Sequence, residues 1–528
     1  MSTLTPPRPV PPDERPSSSA PARAAARPLP LLVGLVVTVC VVLRFVTVSD
    51  LWLDEAQSVA IATQPTLADL VAALRTDGAP PLYYVLLSAW TSLFGSSDLA
   101  VRSLSGLASV TALPLVWLLG RRLGGAHTGL AALLLLATNP FAIRYATEAR
   151  MYSLLVLLTA AAGLALCRVI DRPGRGAQAG LAGLTVLLLL THYWALFLGI
   201  TVGLGLLLRL RRAPAQARPG LLRAVVALVA GAVLFLPWLP VFLFQAGHTG
   251  APWAAAVHPR DLAGVVGVWA ESGSFLGSLL FLVLLGLVVL GLVGRPGPGG
   301  SLLLEPRPAE PARTLAAIVG GTLAVAFLAG LTGSAFAGRY TSVVLVPALL
   351  VMALGFRAFP TPRSRGVALA LTVALGLAGG VEPAFEQRTQ AGEVASALAA
   401  SARPGDVVVY CPDQLGPSVS RLLAQRGSGG DVAQVVYPTA GSPARVDWVD
   451  YGERNAASDG AVFALRLDAL AGEGDVWLVW MTGYRTFGSE CTELATTLGE
   501  LRPDDERVVE MDRRLFEPMQ LFRYAGRD

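Results

Sequence analysis

Asp54 and Glu55 stand side by side in LWLDEAQSVA, just beyond the first long apolar run of the chain. Ionised carboxylates at a membrane boundary are costly to keep there, so they tend to mark a site. Asp77 follows, then Arg144, Tyr145, Glu148, Arg150 and Tyr152 within FAIRYATEARMYS, then His192 and Tyr193, and late in the chain Arg339 and Tyr340. A carboxylate can take the proton of an attacking hydroxyl. Guanidinium groups can hold a departing phosphate through paired N–H···O bonds. Acids and arginines gathered at one level therefore suit a displacement with an anionic leaving group. Each residue also has a plainer reading. The acid pair could cap a helix that starts there. Glu148 and Arg150 could pair with each other, and Arg102 and Arg339 could anchor helix ends. Asp77 could open a turn with Gly78. A histidine between apolar runs is more often a hydrogen-bonded core residue than a ligand.

The elements that must position these residues are membrane helices. The chain has 528 residues, 53% hydrophobic and 15% charged, with a mean hydropathy of +0.57. A soluble domain averages about 25% charged residues, so the deficit points to the membrane class. The net charge is +4, and the 41 basic side chains are all arginine. They cluster in short loops rather than along one face, which argues against nucleic acid as a partner. Long apolar runs fall at about 29–49, 99–120, 126–143, 151–169, 179–193, 195–210, 222–243, 274–294, 314–332, 340–357 and 366–381. Residues 1–28, rich in Pro, Ser, Ala and Arg, read as a disordered cytoplasmic tail.

The linkers sort by charge. Arg121-Arg122, CRVIDRPGR, RLRRAPAQARPGLLR, the segment around EPRPAEPAR, and FRAFPTPRSR are basic. They alternate with linkers that carry acids and aromatics. The positive-inside rule makes the basic set cytoplasmic. The loop at 50–98, the FAIRYATEAR segment, the THYW corner, the GRY segment and everything after about 382 then face outward. PPLYYVLLSAWTSLFG is apolar but short. As a span it would invert every later loop. As a helix in the outer interface it keeps the alternation, and Tyr83, Tyr84 and Trp90 suit that level. The expected fold is an α-helical polytopic membrane protein with about eleven transmembrane helices over 29–381 and one outer interfacial helix. Residues 382–528 alternate strand-like runs (DVVVYCP, DVWLVWM) with helical ones, so they read as an extracytoplasmic α/β domain with a largely parallel sheet. No Gly-rich phosphate loop follows either strand. If that domain is outside the cell, a Cys411–Cys491 disulfide is open to it, though spacing alone does not decide this.

The ordered series DEAQSVAIA, DGAPPLYYVLLSAW, LGRRLGG, ATNPFAIRYATEARMYSLL, THYWALFL and a late GRY resembles the polytopic C-type (GT-C) glycosyltransferases. The branch is that of the protein O-mannosyltransferases (family 39) and the lipid A aminoarabinose transferases. The resemblance runs over roughly 45–210, with an echo at 338–347, and leaves out the C-terminal domain. It implies transfer of a sugar, mannose or similar, from a polyprenyl-phosphate donor to an acceptor hydroxyl outside the plasma membrane, with inversion. It implies Asp54 as the catalytic base, with Glu55 and Glu148 as its supporting acids. Arg144, Arg150, Arg339 and Tyr340 would bind the donor phosphate. Asp77, Tyr83, Tyr84, Tyr152, His192 and Tyr193 would line the substrate pocket. The chain departs from many relatives at Ala79, where they carry a basic residue or histidine before the paired prolines, and it lacks a β-trefoil loop domain. The acceptor, whether glycan, glycolipid or protein, stays open. No cofactor is implied outright. No His/Cys/Asp cluster has ligand spacing, and a divalent cation on Asp54, Glu55 or Glu148 is left open. The competing reading is a multi-pass lipid or sugar transporter or flippase, which predicts broken helices in repeated halves; no internal repeat is visible. A sensor role survives for 382–528 alone.

Overall fold

The computed structural model describes residues 28–250, 256–333, 335–428, 432–482, 484 and 486–526. Nearly all of the expected tail, 1–27, lies outside them. Eight helices are long and apolar enough to cross a membrane, and nine if the bent pair Ala126–Thr138 and Pro140–Ala146 is one span. Among the described residues the shorter apolar helices Pro30–Leu43 and Arg175–Leu189 are left out of that count by their length, although Arg175–Leu189 is the segment that carries the chain back from the arginine-bearing end of Tyr152–Asp171 to the start of Trp194–Arg212. The expectation of eleven spans counted both of them as full crossings.

Sequence explains the bend. Pro140 cannot donate into the preceding turn, and Asn139 accepts from Ala142 N at 3.0 Å to start a new helix. The carbonyls freed at the end of the first helix are taken by the buried Arg44, which donates to Leu136 O and Ala137 O at 2.8 Å each. The two segments meet at 56°. This bend turns the chain toward Glu148 and Arg150.

The helix directions are consistent. Asp98–Gly124 starts beside Arg102 and ends on Arg121 and Arg122. Tyr152–Asp171 ends on Arg168, and Trp194–Arg212 ends on Arg209, Arg211 and Arg212. The arginine-rich ends therefore lie away from Asp54. Ser342–Gly355 runs through the middle of the bundle with every residue buried, which is where a helix that is apolar on all sides belongs.

The segment between the first two long helical elements forms three short helices at the other end: Leu53–Ala62, Leu67–Asp77 and Leu82–Phe94. The last has 13 residues, about 20 Å at 1.5 Å each, too short for a crossing. It buries Tyr83, Tyr84 and Leu87 and leaves Leu93 and Phe94 exposed. Gly78, at φ +85°, ends the second helix in a left-handed turn, where a Cβ would meet the Thr249 hydroxyl at 2.7 Å. Only glycine makes that reversal from Asp77 into Pro80 and Pro81 easily.

After helix Pro362–Phe385 the chain builds a five-stranded sheet flanked by helices. Its strand order is Ala433–Val436, Val407–Cys411, Val476–Trp480, Gln520–Tyr524, Asp505–Val509. The first three strands pair in parallel and the last two join antiparallel. Val407–Cys411 is buried at every position, as a central parallel strand covered on both faces requires. Cys411 and Cys491 are joined by a disulfide. The domain sits on the short-helix end of the bundle. Val446 N donates to Gln57 Oε1 at 3.0 Å, Trp448 N to Thr76 O at 3.0 Å, and Arg421 to Asp98 at 2.8 Å.

Candidate active site

A cavity of about 860 Å³ opens between the two domains, lined by Asp54, Asp77, Arg150, Tyr152, His192, Tyr193, Arg339 and Tyr340 among others. Asp54 lies in the first turn of Leu53–Ala62. Its Oδ2 is 3.7 Å from Arg150 Nη2 and 3.7 Å from Arg339 Nη2, and it has no hydrogen-bond partner among the described residues. Ser58 Oγ donates to the Asp54 backbone carbonyl at 2.7 Å instead. The carboxylate is thus held electrostatically, with its Oδ2 buried against the two guanidinium groups.

Glu55 points elsewhere. Successive helix positions are turned by about 100°, and Glu55 is fully buried where Asp54 borders the cavity. Arg102 donates to it twice, Nε to Oε1 at 2.7 Å and Nη2 to Oε2 at 2.6 Å, and Ala149 N donates to Oε1 at 2.8 Å. Both oxygens are consumed. Its geometry is that of a clamp tying helix Leu53–Ala62 to the long helix and to the segment before Arg150. Arg102, for which the sequence left a helix anchor as the plainer reading, is the other jaw.

Arg150 donates to Ser58 Oγ at 3.0 Å and Tyr84 Oη at 3.2 Å. Tyr84 in turn donates to Asp77 Oδ2 at 2.8 Å, and Gln57 Nε2 donates to Asp77 Oδ1 at 2.5 Å. Both Asp77 oxygens are occupied. Burial raises its carboxyl above the ordinary range, against the pull of Arg150, Tyr84 and Gln57. Tyr84 and Tyr83 sit behind the cavity wall. Tyr83 shares a hydrogen bond of 2.9 Å with Ser105. Tyr152 borders the cavity with a buried hydroxyl that has no partner among the described residues. Tyr193 donates to Gln245 and accepts from Trp238 Nε1 at 3.0 Å. His192 accepts from Trp194 N at 3.1 Å through Nδ1, and its ring lies 4.7 Å from that of Tyr340. Burial, with Arg150 and Arg339 nearby, lowers its pKa to about 3, so it is a neutral imidazole.

Glu148 and Arg144 are not in this group. They border a second, smaller cavity of about 380 Å³ with Glu271, and Arg339, Trp52 and Phe516 separate it from the first. Glu148 lies 3.5 Å from Arg144 and 3.7 Å from Arg388. Burial pushes its carboxyl up while the two arginines pull it down. Arg144 also faces Glu271 and Glu386, at 3.9 and 3.7 Å. Asp54, Glu55 and Glu148 thus occupy three different surroundings. Among the described residues no group of three or more His, Cys, Asp or Glu side chains is placed to hold a metal ion.

The C-terminal domain enters the site in a way the sequence reading did not anticipate. Glu517 Oε1 accepts from Leu53 N at 3.0 Å, one residue before Asp54, and its other oxygen accepts from Thr389. Burial raises this carboxyl to about 8, against those hydrogen bonds, and Asp413 is likewise pushed up to about 7. A raised acid adds stability below its unfolded pKa and loses it as pH climbs through the folded value. The protein is therefore expected to melt at lower temperature at pH 9 than at pH 6. Glu517→Gln should remove the part of that decline above pH 7, as read by tryptophan fluorescence during heating. An unchanged decline would show that Glu517 is not its source. Arg388, Gln414 and Tyr484 were equally unforeseen. The one signal available was an acid standing inside the apolar run LFEPMQLF.

Residues 78–240 match the family model described as dolichyl-phosphate-mannose-protein mannosyltransferase. Among solved structures the chain is similar to ArnT from Cupriavidus metallidurans in the apo state. Sequence identity is 14% and the TM-score 0.59, over 95% of this chain and 100% of that one. The same enzyme bound to undecaprenyl phosphate matches at 15% identity and TM-score 0.44, over 96% and 100% of the two chains. The arabinofuranosyltransferase AftD from Mycobacteria matches at 14% and 0.47, over 94% and 42%. The apo ArnT likeness establishes a shared fold; the two lower scores add nothing to it. No curated protein matches by sequence.

Proposed function

We propose that this chain, a GT-C membrane glycosyltransferase of the protein mannosyltransferase and aminoarabinose transferase branch, moves a sugar such as mannose from a polyprenyl-phosphate carrier to an acceptor hydroxyl. In this reading the reaction takes place on the extracytoplasmic side of the plasma membrane, and the arginine-rich helix ends, which point away from Asp54, support that orientation. The observation that carries the reading is Asp54 Oδ2, without a hydrogen-bond partner among the described residues and 3.7 Å from both Arg150 and Arg339, on a residue that lines the cavity.

In this reading Asp54 takes the proton of the acceptor hydroxyl as its oxygen attacks the anomeric carbon. The bond from that carbon to the carrier phosphate breaks on the opposite side, which inverts the centre. The phosphate leaves with one more negative charge than it had as a diester. Arg150 and Arg339 are placed to meet that charge as it develops. An apolar cavity of about 500 Å³ shares Leu196 with the polar one and continues among Gly163, Leu188, Gly199 and Val346. Its lining suits a prenyl tail.

The test is transfer by the purified protein from radiolabelled polyprenyl-phosphate sugars, offered as a panel to membranes that supply the acceptor. Consumption of one donor, with release of the bare carrier phosphate, is the expected result. A folded protein that consumes none of them would overturn the reading.

A further inference from the structure

The catalytic cavity has two chemically different halves. The membrane-domain half carries Asp54, Asp77, Arg150 and Arg339. The half supplied by the C-terminal domain presents Gln414, Trp448, Tyr484 and Phe516, together with Glu517, whose two oxygens are held by Leu53 N and Thr389.

Gln414 is 2% exposed. Its Nε2 donates to Tyr451 Oη at 2.6 Å, and Tyr451 donates its single proton to Asp413. With that proton committed, the tyrosine oxygen can only accept, so the amide must turn its NH2 toward it. The carbonyl Oε1 is then fixed in the opposite sense. It is buried, on a residue that lines the cavity, and has no partner among the described residues. A buried acceptor left bare is unfavourable and calls for an explanation. A ligand hydroxyl would supply the missing donor.

Tyr484 places that ligand. It lines the same cavity as Asp54 and Arg339. During displacement the transferred ring must sit between the attacking oxygen at Asp54 and the phosphate at the arginines. A ring in that position would have Tyr484 among the residues that wall its chamber. Its charge also follows. Both Asp77 oxygens are taken by Gln57 and Tyr84, Glu517 by Leu53 and Thr389, and one Asp413 oxygen by Tyr451. Asp54 is reserved for the acceptor proton. Among the described residues, an ammonium group on the sugar would have to share the carboxylates of the cavity with donors that already hold them.

We infer that the C-terminal domain completes the donor site, with Gln414 and Tyr484 recognising hydroxyls of a neutral sugar ring in transit. This rests on the polyprenyl-phosphate reading above.

The experiment measures binding of bare undecaprenyl phosphate, of the same lipid carrying mannose, glucose or arabinofuranose, and of the same lipid carrying a 4-amino sugar. Tryptophan fluorescence of the full chain in detergent provides the signal. The parent should bind at least one neutral-sugar lipid more tightly than the bare phosphate. Gln414→Ala should reduce that gain by about tenfold, the worth of one well-made hydrogen bond, and leave the bare phosphate unaffected. Tyr484→Phe, which removes only a hydroxyl, should reduce it similarly and guards against a misfolded Gln414 variant. Gln414→Glu should shift preference toward the amino-sugar lipid. An unchanged gain in both Gln414→Ala and Tyr484→Phe overturns the inference, as does a parent that prefers the amino-sugar lipid. Failure of the parent to bind even the bare phosphate would instead sink the polyprenyl-phosphate reading, and this inference with it.

Discussion

Asp54→Asn is expected to lose transfer by on the order of 10²–10⁴ while the protein still folds and still binds polyprenyl phosphate. The substitution is nearly isosteric. The local hydrogen bonds at this residue run to its backbone carbonyl, from Ser58 and more distantly from Arg150, and do not depend on the carboxylate. What is removed is the proposed acceptor of the hydroxyl proton and one negative charge near two guanidinium groups. Loss of that charge leaves Arg150 and Arg339 more exposed to an anion, so carrier affinity should hold or rise. The decisive comparison is kcat for transfer against carrier affinity in the same preparation. Near-normal kcat would end the assignment of Asp54 as base, and a collapse of both quantities would point to a structural role.

Arg102→Ala should be the most destabilising single change at the site. Glu55 would keep its buried carboxylate with only Ala149 N as a partner. Removing one member of a buried pair costs about 3–5 kcal/mol, because the remaining charge is left uncompensated. That is a large share of the roughly 5–15 kcal/mol that holds a typical native protein. The expected result is a markedly lower melting temperature and loss of monodisperse protein in detergent. Combining it with Glu55→Gln should recover part of the loss, since the orphaned charge is then gone. A single variant as stable as its parent would show that the clamp is dispensable.

Much of this arrangement could be read from residue order. The outer acids, the short PPLYY helix and the strand–helix alternation after 382 all depend on local composition and length. The unequal fates of Asp54 and Glu55 were less accessible. Adjacent helix positions face different surroundings, and which one meets Arg102 depends on a helix 47 residues away. Arg388 was invisible for a similar reason. It falls in a segment assigned to a separate domain, yet it is buried against Thr147, donating to its hydroxyl at 2.7 Å across 241 positions. The bent pair near Glu148 was readable as an apolar run but not as two segments. Its break needs Arg44 to receive the freed carbonyls, and nothing near Arg44 in sequence announces that.

The bond from Leu53 N to Glu517 spans 464 positions. A nascent chain emerges N-terminus first, so the acids and arginines of the membrane domain are in place long before the glutamate that secures their helix. Until the last strands close the sheet, the site lacks both that tie and the Gln414 wall. On the proposed function, competence would be gained only after that last segment has been made. A polypeptide terminated early would occupy the membrane with its prenyl-tail cavity formed and its catalytic chamber open on one side.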